Sequence, residues 1–173
     1  ILGEEFIGDD DVCLILGDNI FYGSGLETTL KSLNNPNGGV IFAYHVQDPQ
    51  RYGVVEFDEN NKAISIEEKP THPKSNFAVP GIYFYDNQVI EIAKSIKPSS
   101  RGELEITDLN KNYLDSDELH HYSLDSNYAW FDTGNPDEMF AASMYVKCIQ
   151  DRTNSMIGCI EGKSWKQGNI TEE

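Results

Sequence analysis

VCLILGDNIFYGSG, residues 12–25, decides how this chain folds. Val12 to Leu16 is an unbroken apolar run between Asp9-Asp10-Asp11 and Gly17, which reads as a buried strand. In open α/β sheets ligands collect at the carboxyl ends of strands, so Gly17-Asp18-Asn19 would set a carboxylate and an amide at the mouth of a cleft. Gly-Asp-Asn is equally good turn chemistry, and the local sequence leaves both readings open.

Downstream, strand and helix signals alternate. Apolar residues at Leu26, Leu30 and Leu33 mark a short helix, closed by the Asn34–Gly39 turn cluster. Gly39 to Val46 reads as a second buried strand. Asp48 to Gly53 is a loop leading to the strand Val54–Phe57, and the turn Asp58–Asn61 joins this to Ala63–Glu67 as an antiparallel hairpin, in which Ala63, Ser65 and Glu67 alternate with Ile64 and Ile66. Phe77 to Tyr85 is one long strand, with Pro80-Gly81 marking an irregularity inside it. A helix begins at Asn87 and is closed by Pro98. Thr107 is expected to cap a helix over Asp108–Leu114. His120–Leu124 and Tyr128–Phe131 are strands, the second ending in Asp132-Thr133-Gly134. Asn135-Pro136-Asp137-Glu138 is a helix start with a cap, a first-position proline and acids in the first turn, and that helix runs to Arg152. These elements predict an α/β fold with a mixed β-sheet flanked by helices.

The 173 residues, 39% of them hydrophobic, suffice for a domain-sized core. No apolar run approaches the roughly 20 residues that span a bilayer, and a cytoplasmic protein is expected. Cys13, Cys148 and Cys159 are widely spaced, and Cys13 is placed inside the buried strand, so neither a disulfide framework nor a zinc site is expected. With 29 acidic and 13 basic residues the net charge is −16, which argues against nucleic acid or an anionic membrane as partner. A small phosphorylated substrate remains compatible, provided a few cations or a metal ion offset the field locally.

Candidate chemistry follows from the strand ends and the scarce cations. Asp18 and Asp132 each follow an apolar strand. Were those strands neighbours, the two carboxylates could hold Mg²⁺, which takes one or two carboxylates together with substrate phosphate oxygens. Lys69, in Glu67-Glu68-Lys69-Pro70, and Arg101, opening Arg-Gly-Glu-Leu-Glu, are each either phosphate contacts or surface ion pairs, whereas Arg51 reads as a surface ion pair. Gly53, after Tyr52, could admit close backbone approach of a ligand. Tyr83 and Tyr85 share one strand face as core or pocket wall, and Trp130 stands beside Asp132.

Six segments in this order, LGDNIFYG, DPQRYGVVEFD, EEKP, PKSNFAVPGIYFYD, RGELEITD and AWFDTG, closely resemble the glucose-1-phosphate thymidylyltransferases, bacterial enzymes that make dTDP-glucose. The likeness covers essentially the whole chain. It implies a Rossmann-like mixed β-sheet of the nucleotide-diphospho-sugar transferase fold, with residues 1–154 carrying sugar-phosphate and metal binding and 155–173 a truncated regulatory and packing tail. By the same resemblance Asp18 and Asp132 match magnesium ligands. Glu68 and Gly53 match contacts to sugar hydroxyls, with Tyr52, Val79, Tyr83 and Trp130 around that pocket, and Lys69 and Arg101 match the cations on the sugar phosphate. The implied partners are glucose 1-phosphate and dTTP, and the implied assembly is a homo-oligomer, commonly a tetramer.

The family's Gly-rich triphosphate loop and base-reading segment are absent from this sequence. The N-terminal part therefore reads as missing, with poor nucleotide binding by this polypeptide alone and uncovered apolar sheet surface expected. A UTP-dependent sugar nucleotidyltransferase and a non-catalytic sugar-phosphate-binding domain are the competing readings.

Overall fold

The computed structural model describes residues 2–99 and 101–171. It divides into two compact units, Ile1–Trp130 and Phe131–Glu173.

The first unit opens with the short helix α1 (Glu4–Ile7), then β1 (Val12–Ile15), β2 (Asn19–Gly23) and α2 (Leu26–Ser32). β3 (Gly39–His45) is followed by a 3-10 turn at Pro49–Arg51, the hairpin of β4 (Gly53–Phe57) and β5 (Ala63–Glu68), and the pair β6 (Phe77–Ala78) and β7 (Ile82–Tyr85). Then come α3 (Val89–Ser95), α4 (Ile106–Asp115), β8 (Leu119–Leu124) and β9 (Tyr128–Asp132), whose last two residues count with the second unit.

Seven strands form one mixed sheet. β3 pairs with β8 in parallel and, on its other edge, antiparallel with β7 and then β6. β6 and β7 are one strand interrupted at Val79-Pro80-Gly81, where Pro80 has no N–H for the ladder. Beyond it, β1 lies against β7 (Ile15 opposite Ile82) and β4 against β6 (Val54 opposite Ala78). The sheet therefore parts at the interruption, with the carboxyl end of β1 on one side and the start of β4 on the other. β2 and β9 make a separate two-stranded sheet.

Both faces of β3 are covered, which accounts for its unbroken apolar sequence. Ile41 and Ala43 join Tyr83, Tyr85, Leu109 and Tyr113 in one core, and Val40 and Phe42 join Ile82, Phe84 and Leu124 in the other, against which Leu30 and Leu33 pack. Tyr83 stacks on Tyr85 with rings 8° apart, and Tyr85 on Tyr113 at 13°. Two hydrogen bonds anchor the ladder of phenols: Tyr85 donates to Asn110 Oδ1 at 2.6 Å, and Tyr113 to Asp86 Oδ1 at 2.9 Å.

Several expectations need correction. β1 is a strand but not a buried one: Cys13, Leu14 and Ile15 are exposed, because β1 ends the sheet path and pairs only with β7 among the described residues. The β4–β5 hairpin carries a bulge. Glu56 opposes Ser65 and Phe57 opposes Ala63, so Ile64 is skipped and turned outward at 51% exposure while Ala63 and Ile66 are buried. Thr107 is not a cap; Glu105 occupies that position, and Thr107 lies buried inside the first turn of α4.

In the second unit, α5 (Pro136–Thr153) starts as its sequence predicts, with the Asn135 side chain accepting from the Glu138 N–H at 3.0 Å. Phe131 packs on Tyr145, ring centroids 5.3 Å apart. α6 (Ile160–Lys166) follows, a helix that the sequence of this segment did not predict, capped by Cys159, whose sulfur accepts from the Gly162 N–H. No helix among the described residues is long and apolar enough to cross a membrane.

Candidate active site

The parting of the sheet in the first unit places most of the sequence-predicted residues around one opening. Gly53 at the start of β4 is in register with Glu68 at the end of β5, and the Val79 N–H donates to the Gly53 carbonyl at 2.8 Å. A β-carbon at Gly53 would lie 3.2 Å from Thr107 Oγ1, a tight contact, and 3.4 Å from Glu68 Oε2, an ordinary one, so glycine leaves the Thr107 hydroxyl room. Thr107 donates its hydroxyl to Glu68 Oε2 at 2.5 Å, and Arg101 Nη2 is 3.7 Å from Glu68 Oε1.

Lys69 follows at a strained position. Its φ is +42°, a region costly for any residue with a side chain and doubly restricted before a proline. Its N–H donates to the Tyr52 carbonyl at 3.0 Å, which ties the end of β5 to the entry of β4. Backbone strain of this kind concentrates at functional sites. Arg51, expected as a surface ion pair, has its guanidinium 5.4 Å from the centre of the Tyr52 ring.

Across the opening, Asn19 joins the carboxyl end of β1 to the rest. Its Oδ1 accepts from the Gly81 N–H at 2.9 Å and from Trp130 Nε1 at 2.7 Å, while its Nδ2 donates to Asp18 Oδ1 at 2.9 Å. A β-carbon at Gly81 would meet Asn19 Nδ2 and Leu16 at 2.8 Å, so a larger residue there would push the Asn19 amide out of this arrangement. Trp130 also packs against Tyr52 and Tyr44, at centroid distances of 4.9 and 5.8 Å, forming an aromatic wall. Tyr83 is core rather than open wall, at 3% exposure; burial raises its pKa, and the negative charges of Glu68 and Asp18 raise it further.

Arg101 is gripped by Glu105. Nε donates to Oε1 at 3.0 Å and Nη2 to Oε2 at 2.8 Å, the bidentate fork that planar guanidinium and carboxylate groups favour. Hydrogen bonds from Arg101, then from Ser99, hold the Glu105 carboxyl below its ordinary pKa, with burial opposing and the positive charges of Arg101 and Lys69 assisting.

Asp18 stands exposed in the turn after β1, where its hard oxygen ligands suit a divalent cation. Asp132 ends β9 in the second unit, where its Oδ1 accepts from the Gly134 N–H at 3.4 Å. Among the described residues no group of three or more His, Cys, Asp or Glu side chains forms a metal cluster.

Thr107 and Glu105 were not singled out by sequence as site residues. Arg101 and Glu105 are four residues apart with opposite charges in the loop before α4, and that closeness in sequence was the available signal.

The chain resembles named proteins along its full length. It is 51% identical to the glucose-1-phosphate thymidylyltransferase of Neisseria meningitidis and 50% identical to that of Mycolicibacterium smegmatis, in both cases over all of this chain and 60% of the relative. A solved Bacillus anthracis structure, in complex with a sucrose, superposes with a TM-score of 0.72 at 40% identity over 83% of this chain and 57% of that one. Apo UDP-glucose pyrophosphorylase shares the fold, with a TM-score of 0.71 at 23% identity over 84% of this chain and 57% of that one. The mixed sheet is thus that of the nucleotide-diphospho-sugar transferases, and the match to the nucleotidyl transferase family over residues 1–148 means that this chain belongs to that family.

Proposed function

We propose that this protein joins dTTP to glucose 1-phosphate, giving dTDP-glucose and pyrophosphate. The observation that carries this reading is the 51% identity over the whole chain to a relative bearing the corresponding name. The chain spans 60% of that relative's length, and the whole protein's activity is inferred on this basis.

In this reading Glu68 accepts hydrogen bonds from sugar hydroxyls, while Gly53 lets the sugar approach the backbone beside Val79 and the Tyr52–Trp130 wall, with Tyr83 buried in the core behind them. Lys69 and Arg101 hold the sugar phosphate. The fork on Glu105 occupies Nε and Nη2 of Arg101, so Nη1 is the face offered to the phosphate. A phosphate monoester is already largely dianionic near neutral pH, so no general base is required. A phosphate oxygen of the sugar attacks the α-phosphorus in line, and the bond from that phosphorus to the bridging oxygen breaks, with both electrons leaving on the bridging oxygen as part of pyrophosphate. The residues contribute positioning and charge neutralisation. Magnesium, when bound, would supply further neutralisation of the triphosphate; Asp18 in the first unit and Asp132 in the second are the proposed carboxylate ligands, each on the grounds of its own strand-end position. The same resemblance supports a cytoplasmic homotetramer whose product feeds dTDP-sugar synthesis, including dTDP-rhamnose.

The test is magnesium-dependent pyrophosphate release by the full-length gene product, with glucose 1-phosphate and either dTTP or UTP. Release chiefly with dTTP, lost by roughly a hundredfold or more in Asp18→Asn, is the expected result. Preference for UTP would redirect the assignment to another sugar nucleotidyltransferase. Binding of glucose 1-phosphate without pyrophosphate release would make the protein a sugar-phosphate-binding domain.

A further inference from the structure

Of the three carboxylates near the Arg101 guanidinium, Glu105 is the tightest at 2.8 Å, with Glu103 Oε2 and Glu68 Oε1 at 3.6 and 3.7 Å from Nη2. Ser99 Oγ donates to Glu105 Oε1 at 2.7 Å and accepts from the Arg101 backbone N–H at 3.2 Å. The Ser99 N–H donates to the Glu103 carbonyl at 2.8 Å, and the Gly102 N–H to the Ser99 carbonyl at 2.9 Å, so the turn closes on itself. At its centre the Glu105 side chain is 10% exposed, whereas that of Arg101 is 43% exposed. The acid is buried and the cation is presented.

An exposed ion pair contributes little. This one differs on three counts: its acid is largely buried, its geometry is bidentate, and a third hydrogen bond from Ser99 satisfies the same oxygen that accepts from Nε. A carboxylate so placed is costly to leave without its cation, which holds the guanidinium to one orientation. That orientation keeps Nη2 3.7 Å from Glu68 Oε1, beside the proposed sugar-hydroxyl contact.

We infer that Glu105 is the positioning residue for Arg101: it touches no substrate, and it fixes the guanidinium so that Nη1 faces the phosphate of the sugar substrate beside Glu68. The inference rests on the sugar-phosphate reading of the site.

The test is a double-substitution cycle in the full-length gene product, read as the affinity for glucose 1-phosphate by titration calorimetry and as KM against kcat. Glu105→Gln weakens glucose 1-phosphate roughly ten- to hundredfold, the range of a hydrogen bond to a charged group, and does so in KM more than in kcat. The same substitution in an Arg101→Gln background adds less than about twofold, because its effect runs through the arginine. A purely structural role would instead lower affinity equally in both backgrounds, which would overturn the proposal. Should Glu105→Gln not fold, Ser99→Ala gives a milder form, about threefold in the wild-type background and absent in Arg101→Gln. If the wild-type protein binds no glucose 1-phosphate, the sugar-phosphate reading falls and takes this proposal with it. Wild-type binding together with undiminished affinity in Glu105→Gln overturns the positioning role alone.

Discussion

Thr107 Oγ1 lies 2.5 Å from Glu68 Oε2, so the first turn of α4 supplies the donor that orients a carboxylate at the end of β5. The contact joins residues 39 apart in sequence. Thr107→Val keeps the shape and removes the donor, leaving a half-buried carboxylate one hydrogen bond short. Affinity for glucose 1-phosphate should fall about tenfold, as expected for a lost hydrogen bond to a charged group. Calorimetric titration of the two proteins checks this, and equal affinity would separate Thr107 from the sugar site.

Gly53→Ala tests the same region from the opposite strand. Its new methyl would stand 3.2 Å from Thr107 Oγ1 and 3.4 Å from Glu68 Oε2, close enough to displace the threonine hydroxyl, and through it its hydrogen bond to Glu68, by tenths of an ångström without blocking the β4–β5 ladder. The melting temperature should move by only a few degrees, within about 1 kcal/mol, while sugar-phosphate affinity falls by about tenfold or more. A melting curve and a titration on the same preparation separate the two effects.

The pH dependence of stability should report Glu105. Its folded pKa lies below the ordinary 4.5, so its interactions stabilise the fold at pH values above 4.5 and are lost as pH falls through the depressed value. Wild type and Glu105→Gln should therefore differ most near neutrality and converge in acid. Urea midpoints at about pH 7 and at about pH 3 measure the gap, and a gap that widened on acidification would contradict the assigned direction.

Inside the core, Tyr85 and Asn110 form another polar pair. Asn110 is 1% exposed, its Oδ1 accepts from the Tyr85 hydroxyl at 2.6 Å, and its Nδ2 is a buried donor without a partner among the described residues. Tyr85→Phe strips the remaining bond and should cost about 1–3 kcal/mol. Replacing both, Tyr85→Phe with Asn110→Leu, should recover part of that loss, because removing a buried donor and acceptor together is cheaper than orphaning one. Equilibrium urea unfolding of the two variants and wild type settles the order.

Elements with local causes were legible in the sequence. β3 announces itself by an apolar run, and α5 by Asn135, Pro136 and the acids that follow; neither depends on what lies far away in the chain. β1 has an equally apolar sequence, yet Cys13, Leu14 and Ile15 are exposed, because burial follows a strand's neighbours in the sheet and a linear run does not name them. Ile64 fails for a related reason: alternation gives it a face, and a one-residue register shift against Glu56 and Phe57 takes that face away. At the site, the residues with distinctive chemistry, Asp18, Lys69 and Arg101, were visible individually. Thr107 and Glu105 were less visible, since their part consists in what they hold: Glu105 holds Arg101 through a turn of its own loop, and Thr107 meets Glu68 only once α4 is laid beside the end of β5.

The interruption at Val79-Pro80-Gly81 has a mechanical consequence. Its two flanking halves are covalently continuous but answer to different neighbours, β4 on one side and β1 on the other, through the Val79 N–H to the Gly53 carbonyl and the Leu16 N–H to the Gly81 carbonyl. The spacing between the Gly53 and Asn19 sides of the opening is therefore set by the length of three residues of main chain, one of them a ring with a locked torsion. It works as a rigid gauge: side chains around it can change while the width of the opening they line stays the same.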